Sequence, residues 1–222
     1  MADETKRTPS DQQSAQGGTK PPADKTAIPE KPASSASSTP SSPAAHAAPP
    51  KPTGPAATPW EHERVARLKS AYGSGIKEAL TYLGQNYLIV NKESAFDVLR
   101  TLRDDEHFEY LVDVTCVHYP DREEPFEVVW MLYSFAKNER MRVKASFKDG
   151  EKAASVVPLW PTANWLEREA FDMFGVEFDG HPDMRRILLP DGWKGHPLRK
   201  DYGIIQQDTE WVKINLGIES GQ

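Results

Sequence analysis

The chain has 222 residues with 27 Lys and Arg against 33 Asp and Glu, a net charge of -6, and one cysteine. A single cysteine excludes an internal disulfide and a four-thiolate iron-sulfur ligand set. No apolar run approaches the roughly 20 residues that cross a bilayer, and an acidic balance argues against a nucleic-acid footprint.

The chain order begins with residues 1–59, which hold twelve of the nineteen prolines, no aromatic residue and almost no large aliphatic one. Such an arm cannot bury a core, so it is expected to be disordered and solvated, a docking role being the lesser reading. Met1 to Lys31 places Asp3 and Glu4 where a secretory signal needs a basic start and an apolar run, and a transit peptide would be Arg-rich and acid-poor. A cytoplasmic, bacterial setting is therefore expected, with any membrane contact made through a partner. Residues 60–222 carry 21 basic and 28 acidic side chains, net -7, and fit one domain of ordinary size.

Trp60 to Tyr72 and Ile76 to Leu83 carry helix-like charge and apolar spacing on either side of the Gly73-Ser74-Gly75 breaker. Tyr87 to Val90 reads as a short strand. Ser94 to Arg103 reads as a helix, with Ala95, Phe96, Leu99 and Leu102 near one face. Three β-rich runs follow, Tyr110 to His118, Glu127 to Phe135 and Arg140 to Phe147. In the last, Met141, Val143, Ala145 and Phe147 alternate with Arg142, Lys144 and Ser146. Breaks at Tyr119-Pro120-Asp121 and Lys137-Asn138 make an antiparallel meander the economical reading. The expected fold class is α+β: a two-layer domain, residues 60–178, with a mainly antiparallel sheet and helices on one side. A loop-rich C-terminal extension, residues 179–222, is expected to follow it.

Pro161 then sits where a helix can start, and Asn164 to Phe174 runs to a stop at Gly175. Trp165, Leu166, Ala170, Met173 and Phe174 cover one half of that helix, while Arg168, Glu169 and Asp172 gather along its edge. The bland account is an amphipathic helix with an Arg168–Asp172 pair at i, i+4 worth tenths of a kcal/mol. Beyond Gly175, prolines 182, 190 and 197 with glycines 180, 192 and 195 dictate a long looped course. Long ordered loops usually have a job.

These residues carry a family resemblance. Asn164-Trp165-Leu166-Glu167-Arg168-Glu169, Phe171-Asp172-Met173-Phe174-Gly175, Gly180-His181-Pro182-Asp183 with Arg185-Arg186-Ile187-Leu188, and Gly195-His196-Pro197-Leu198-Arg199-Lys200-Asp201-Tyr202 resemble the C subunit of the proton-translocating NADH:quinone oxidoreductase, respiratory complex I. Phe126-Glu127-Val128-Val129, the basic strand at Arg140 to Val143 and the Pro158 to Pro161 approach extend the match to roughly Leu88 to Tyr202. Gly203 departs from the family's usual proline.

The resemblance implies a peripheral-arm subunit without cofactor or catalytic residue of its own, held indirectly at the cytoplasmic face of the membrane. Its implied partners are the complex I subunits that form the quinone site and hold the terminal iron-sulfur cluster. FMN and iron-sulfur clusters would reside in partner subunits, carrying electrons from NADH to quinone coupled to proton translocation. The equivalent subunit of a complex I-like membrane-bound hydrogenase or other dehydrogenase is the nearer alternative. Independently of the resemblance, Gly73-Ser74-Gly75 lacks the third glycine and preceding strand of a dinucleotide fingerprint, and no P-loop or nucleophile elbow is present.

A rival reading makes His181 and His196 with Asp183, Asp191 and Asp201 a divalent-metal site of an independent hydrolase. Each histidine precedes a proline in a repeated Gly-His-Pro turn, where loop geometry is the simpler explanation. His107 and His118 read as structural histidines and Cys116 as a small core residue. The docking reading takes Arg168, Arg185, Arg186, Arg199 and Lys200 as donors and Trp165, Trp193 and Tyr202 as aromatic anchors on a partner interface. Glu167, Glu169, Asp172, His181, His196 and Asp201 complete that candidate set. Internal pairing of the arginines with Glu167, Glu169, Asp172 or Asp183 is the competing account. If docking holds, charge reversal at Arg168 or Arg199 is expected to cost assembly more than folding.

Overall fold

The computed structural model describes residues 55–203 and 209–217. Most of the Pro/Ala/Ser arm thus lies outside the described residues. In chain order the elements are β1 (Thr58–Pro59), α1 (Glu63–Tyr72), β2 (Ile76–Tyr82), β3 (Gln85–Val90), α2 (Lys92–Asp104), β4 (Tyr110–His118), β5 (Phe126–Ser134) and β6 (Glu139–Phe147). They continue with β7 (Lys152–Ala154), α3 (Ala163–Phe174), β8 (Glu177–Asp179) and α4 (Thr209–Leu216).

The three β-rich runs form the expected meander: alternating apolar residues bury one face of β4 and β6, and β5 between them is buried on both faces from Phe126 to Trp130. β4 pairs antiparallel with β5 and β5 with β6, placing Val114, Trp130 and Val143 in one rank. The full sheet runs β1-β2-β3-β6-β5-β4, and only the β3–β6 pairing joins parallel neighbours. Two antiparallel blocks are thus fused edge to edge, with Leu88 beside Val143 at the seam. The apolar face meets the buried sides of α1, α2 and α3 in one core: Val98, Leu99 and Leu102 of α2 and Leu88, Val128 and Trp130 of the sheet are essentially inaccessible. The opposite face carries Tyr87, Arg142, Met131 and Asp113 in a single rank.

Ile76 to Leu83 corrects the helical reading, since it is strand β2 followed by a turn. Leu83 and Gly84 have φ of 50° and 75°, the left-handed pair that joins hairpin strands of natural twist. Pairing of β2 with β3 from Ile76↔Val90 to Tyr82↔Gln85 outweighs the helix propensity of Lys77, Glu78, Ala79 and Leu80. An irregularity between Ile76 and Glu78 disguises the strand's period in the sequence.

A buried ion network fastens α1. Arg64 bonds Glu106 at 2.9 Å and Glu139 at 2.9 and 3.0 Å, and Lys137 also reaches Glu106 at 3.1 Å. Burial alone would raise the Glu106 carboxyl, but Arg67, Arg64 and Lys137 overcome it and hold it down to about 2. Past the sheet, β7 and β8 form a separate parallel ribbon that brackets α3. Among the described residues the loop-rich extension contains a short helix, α4, that the looped reading lacked.

Candidate functional site

α3 begins after the Pro161 turn and stops at Gly175, whose φ of 76° gives the left-handed cap that ends many helices. Its charged edge turns toward the loop that follows β8. The i, i+4 pairing of Arg168 and Asp172 is not the arrangement found, because each side chain reaches a different part of that loop. Asp172 is fully buried, and its Oδ2 accepts the backbone N–H groups of Ile187 at 3.0 Å, Leu188 at 2.7 Å and Leu189 at 2.9 Å. Its Oδ1 accepts from Arg186 at 2.9 Å. Burial would push this carboxyl up, yet the three N–H groups and the guanidinium leave it below its ordinary value.

Arg168 is also buried and donates to the carbonyls of Arg185 at 3.0 Å and Arg186 at 3.5 Å. Its guanidinium lies 4.8 Å from the Trp165 ring centre, and Trp165 itself is 62% exposed. One helix edge thus grips the 185–189 turn through both its carbonyls and its amides. Leu188, whose N–H is held by Asp172, turns its side chain outward and is 60% exposed.

The second Gly-His-Pro turn closes on the C-terminal end of α3. His196 Nδ1 lies 2.9 Å from the Asp172 carbonyl oxygen, and Leu198 N–H donates to the Met173 carbonyl at 3.0 Å. Burial, together with nearby Arg186 and Arg199, lowers the basicity of His196 despite the Asp172 carbonyl bond. Arg199 donates Nε to the Phe174 carbonyl at 2.6 Å, spans to Asp149 at 3.1 and 3.3 Å, and lies over Phe126 at 4.7 Å. The Lys200 N–H donates to His118 Nδ1 at 2.9 Å, and His118 is stacked on Phe126. Asp201 Oδ1 is 3.8 Å from that same nitrogen, which the Lys200 bond already occupies as an acceptor.

Gly175 is required by close approach as well as by its φ. A Cβ there would sit 2.7 Å from Arg199 Nη2 and from His196 ring atoms. Gly175→Ala is therefore expected to destabilise the chain by about 1–2 kcal/mol from the left-handed backbone alone. Loosening of the 195–202 turn should follow, read as faster limited proteolysis there. A Cβ at Gly195 would likewise sit 2.7 Å from the Tyr202 ring.

The remaining candidates divide between posts and surface. Glu167 is fully buried and accepts Ser155 Oγ–H and Val156 N–H, each at 2.7 Å, tying α3 to the end of β7. Burial, against those two bonds, raises its carboxyl to about 7. His181 Nδ1 accepts Asp183 N–H at 3.0 Å, so its Nε2 carries the proton donated to the Asn164 carbonyl at 3.0 Å. Both nitrogens of His181 are thus engaged by backbone. Among the described residues no group of three or more His, Cys, Asp or Glu has metal-binding geometry. Glu169, Arg185, Lys200 and Asp201 are exposed, and Arg185 pairs with Asp183 at 2.7 Å. Trp193 packs 5.6 Å from Trp211 of α4, while Tyr202 lies half-buried against Gly195.

Sequence reasoning missed Ser155, Asp149 and the part His118 plays in holding the loop. Only tertiary structure joins them to the motif, because Asp149 is 50 residues from Arg199 and His118 is 82 from Lys200.

The profile of the family described as "Respiratory-chain NADH dehydrogenase, 30 Kd subunit" matches residues 88–208, a span that contains α3 and the whole fastened loop. The chain belongs to this 30 kDa subunit family. Among curated relatives, the C subunit of the NADH-quinone oxidoreductase of Citrifermentans bemidjiense is 42% identical over 153 residues, covering 68% of this chain and 95% of that protein. The corresponding C subunit of Phenylobacterium zucineum is 56% identical over 121 residues, 54% of this chain and 56% of that one. That of Erythrobacter litoralis is 46% identical over 135 residues, so the chain spans about half of it, 54%. A solved chain from the archaeal membrane-bound sulfane sulfur reductase, a respiratory membrane complex, shares the fold with a TM-score of 0.57 at 23% identity, over 72% of this chain and 93% of that one. In this 30 kDa subunit family member, the shared segment starts within β3, leaving β1, α1 and β2 outside the matched span.

Proposed function

We propose that this chain is a non-catalytic structural subunit of a proton-translocating NADH:quinone oxidoreductase, and that the fastened loop from Asp183 to Tyr202 is its docking surface. Buried Asp172 carries this reading: it spends a whole carboxylate on three loop amides and an arginine while Leu188 faces outward. Holding a loop so firmly, with exposed Trp165, Leu188 and Leu198 around it, pre-organises a surface before a partner arrives.

The polar groups of the motif fit that role better than chemistry. Cys116 is buried and its thiol is pushed up to about 12, which leaves little thiolate for attack or ligation. His181 is committed to backbone through both ring nitrogens. In the proposed assembly FMN and iron-sulfur clusters lie on other subunits, and the loop meets the quinone-site and terminal-cluster subunits. No described helix is long and apolar enough to cross a membrane, so association with the cytoplasmic face is proposed to run through those partners.

Arg168 and Arg199 serve as internal posts, so their charge reversal should damage folding and assembly together. Trp165, Leu188 and Leu198 are the sharper probes. The test of the reading is a tagged pull-down of the full chain from gently solubilised membranes, with NADH:quinone activity and iron assayed. Co-purification of an iron-rich, NADH-oxidising assembly is expected; recovery of a lone chain beside intact membrane complexes would contradict it.

A further inference from the structure

The sheet face opposite the helices has the makings of a second interface, separate from the fastened loop. Arg140 and Arg142 stand two residues apart on β6 and share that face, next to Tyr133 and Met131 on β5 and Tyr87 on β3. Tyr110 of β4 pairs across from Tyr133. Phe135, 64% exposed, joins Tyr110 and Tyr133 through ring contacts at 5.6 and 5.0 Å. Every ring, ion and hydrogen-bond contact of these side chains stays within the sheet and the β5–β6 turn.

The two arginines are the decisive feature. Among the described residues every other arginine reaches a carboxylate within 4 Å or, as Arg168 does, two backbone carbonyls. Arg140 and Arg142 meet only the rings of Tyr133 at 6.0 Å and Tyr87 at 5.5 Å. Arg142 Nε is buried without any hydrogen-bond partner, an arrangement that costs free energy until an acceptor is supplied. The next basic residue along the strand, Lys144, is by contrast already paired with Glu127 at 2.8 Å. Asp113 lies in the Arg142 rank but two strands away, roughly 10 Å by strand spacing, with Met131 between them.

We propose that this face binds a second polypeptide that presents an aspartate or glutamate to Arg142 and Arg140. Arginine forks suit bidentate carboxylates, and tyrosine, methionine and arginine together match the composition of interface centres. The occupant is a protein segment bearing a carboxylate: residues 60–222 carry a net charge of -7, which disfavours a nucleic acid or an anionic lipid surface, and Tyr110, Tyr133, Met131 and Phe135 supply the contacts of a protein interface.

The test uses the full chain assembled in membranes and a water-soluble carbodiimide as the probe, which joins an amine directly to a touching carboxylate. Arg142→Lys keeps the charge and places an amine at position 142, and coupling of Lys144 to Glu127 reports that the reagent reached the face. An isopeptide bond from position 142 to an Asp or Glu of another polypeptide, absent from wild type, is the expected result. Coupling only to Asp113 or Glu127 of the same chain, or none while the control bond forms, would overturn the proposal. So would protection of position 142 by anionic phospholipid vesicles without any peptide adduct. The double substitution Arg140→Glu with Arg142→Glu should then weaken retention of the coupled polypeptide by roughly thirtyfold or more. Because neither arginine holds a carboxylate, isolated-chain melting should stay near wild type. The docking role of the fastened loop fails separately, if the chain enters no assembly at all.

Discussion

Asp172→Ala is expected to destabilise the full chain by about 3–5 kcal/mol, the scale for removing one partner of a buried ionic hydrogen-bond network. The loss exceeds that of an ordinary surface ion pair because the substitution strands several groups at once. Arg186 keeps its charge without the carboxylate it was paired to, and the N–H groups of Ile187, Leu188 and Leu189 lose their shared acceptor. The loop should come away from α3 before the sheet unfolds, because the core under the sheet does not use Asp172. Urea unfolding with limited proteolysis at residues 185–199 measures both effects. Asp172→Asn should retain part of the stability through its remaining oxygen.

The pH dependence has a definite sign. Folding lowers the carboxyl's proton affinity, so the stability it contributes is present above its ordinary range near 3.8. That contribution is lost as pH falls through the lower folded value. Wild type should therefore show an acid-induced loosening of the loop that Asp172→Asn lacks.

Glu167→Gln should act in the opposite direction and stabilise the chain at pH 8 by up to about 3 kcal/mol. Burial raises the Glu167 carboxyl from 4.5 to about 7, so the folded state holds its proton more tightly than the unfolded chain does. The stability contributed by Glu167 is then greatest below pH 4.5 and declines as pH rises toward 7, after which the penalty is constant. Glutamine keeps the shape and an acceptor for Val156 N–H while removing the charge. Melting curves should therefore converge near pH 4 and separate above neutrality. A variant less stable than wild type at pH 8 would mean that the carboxylate's bonds to Ser155 and Val156 outweigh its burial.

The legible part of the fold was the part with clean periodicity. Strict alternation in β6 from Met141 to Phe147 marks a strand buried on one side, and its neighbours follow from polar breaks. β2 hid its character because its middle, Lys77-Glu78-Ala79-Leu80, suits a helix and its register slips after Ile76. Leu83-Gly84 held the missed signal, a two-residue left-handed turn directly before a strand. The parallel seam between β3 and β6 has no local signature, since it is created when α2 carries the chain across and two separate blocks meet.

The candidate site was legible as a place but not as a mechanism. Dense charge among glycines and prolines marked α3 and its following loop. A sequence cannot tell which member of such a group is a buried post and which faces outward. Glu167, Arg168 and Asp172 lie inside, while Glu169, one residue from Arg168, is exposed. That division depends on where the loop returns, and the return is set by groups as distant as Asp149 and His118.

If the fastened loop presents a partner surface, the most direct measurement separates that surface from its posts. Trp165→Ala with Leu188→Glu alters two exposed side chains and leaves Asp172's bonds to the loop in place. Isolated-chain unfolding should change little, as surface substitutions usually stay within about 0.5 kcal/mol. Expressed in place of wild type, this variant should be lost from the NADH-oxidising assembly purified from membranes. Retention at the wild-type level, with quinone reduction intact, would contradict a docking role for the loop.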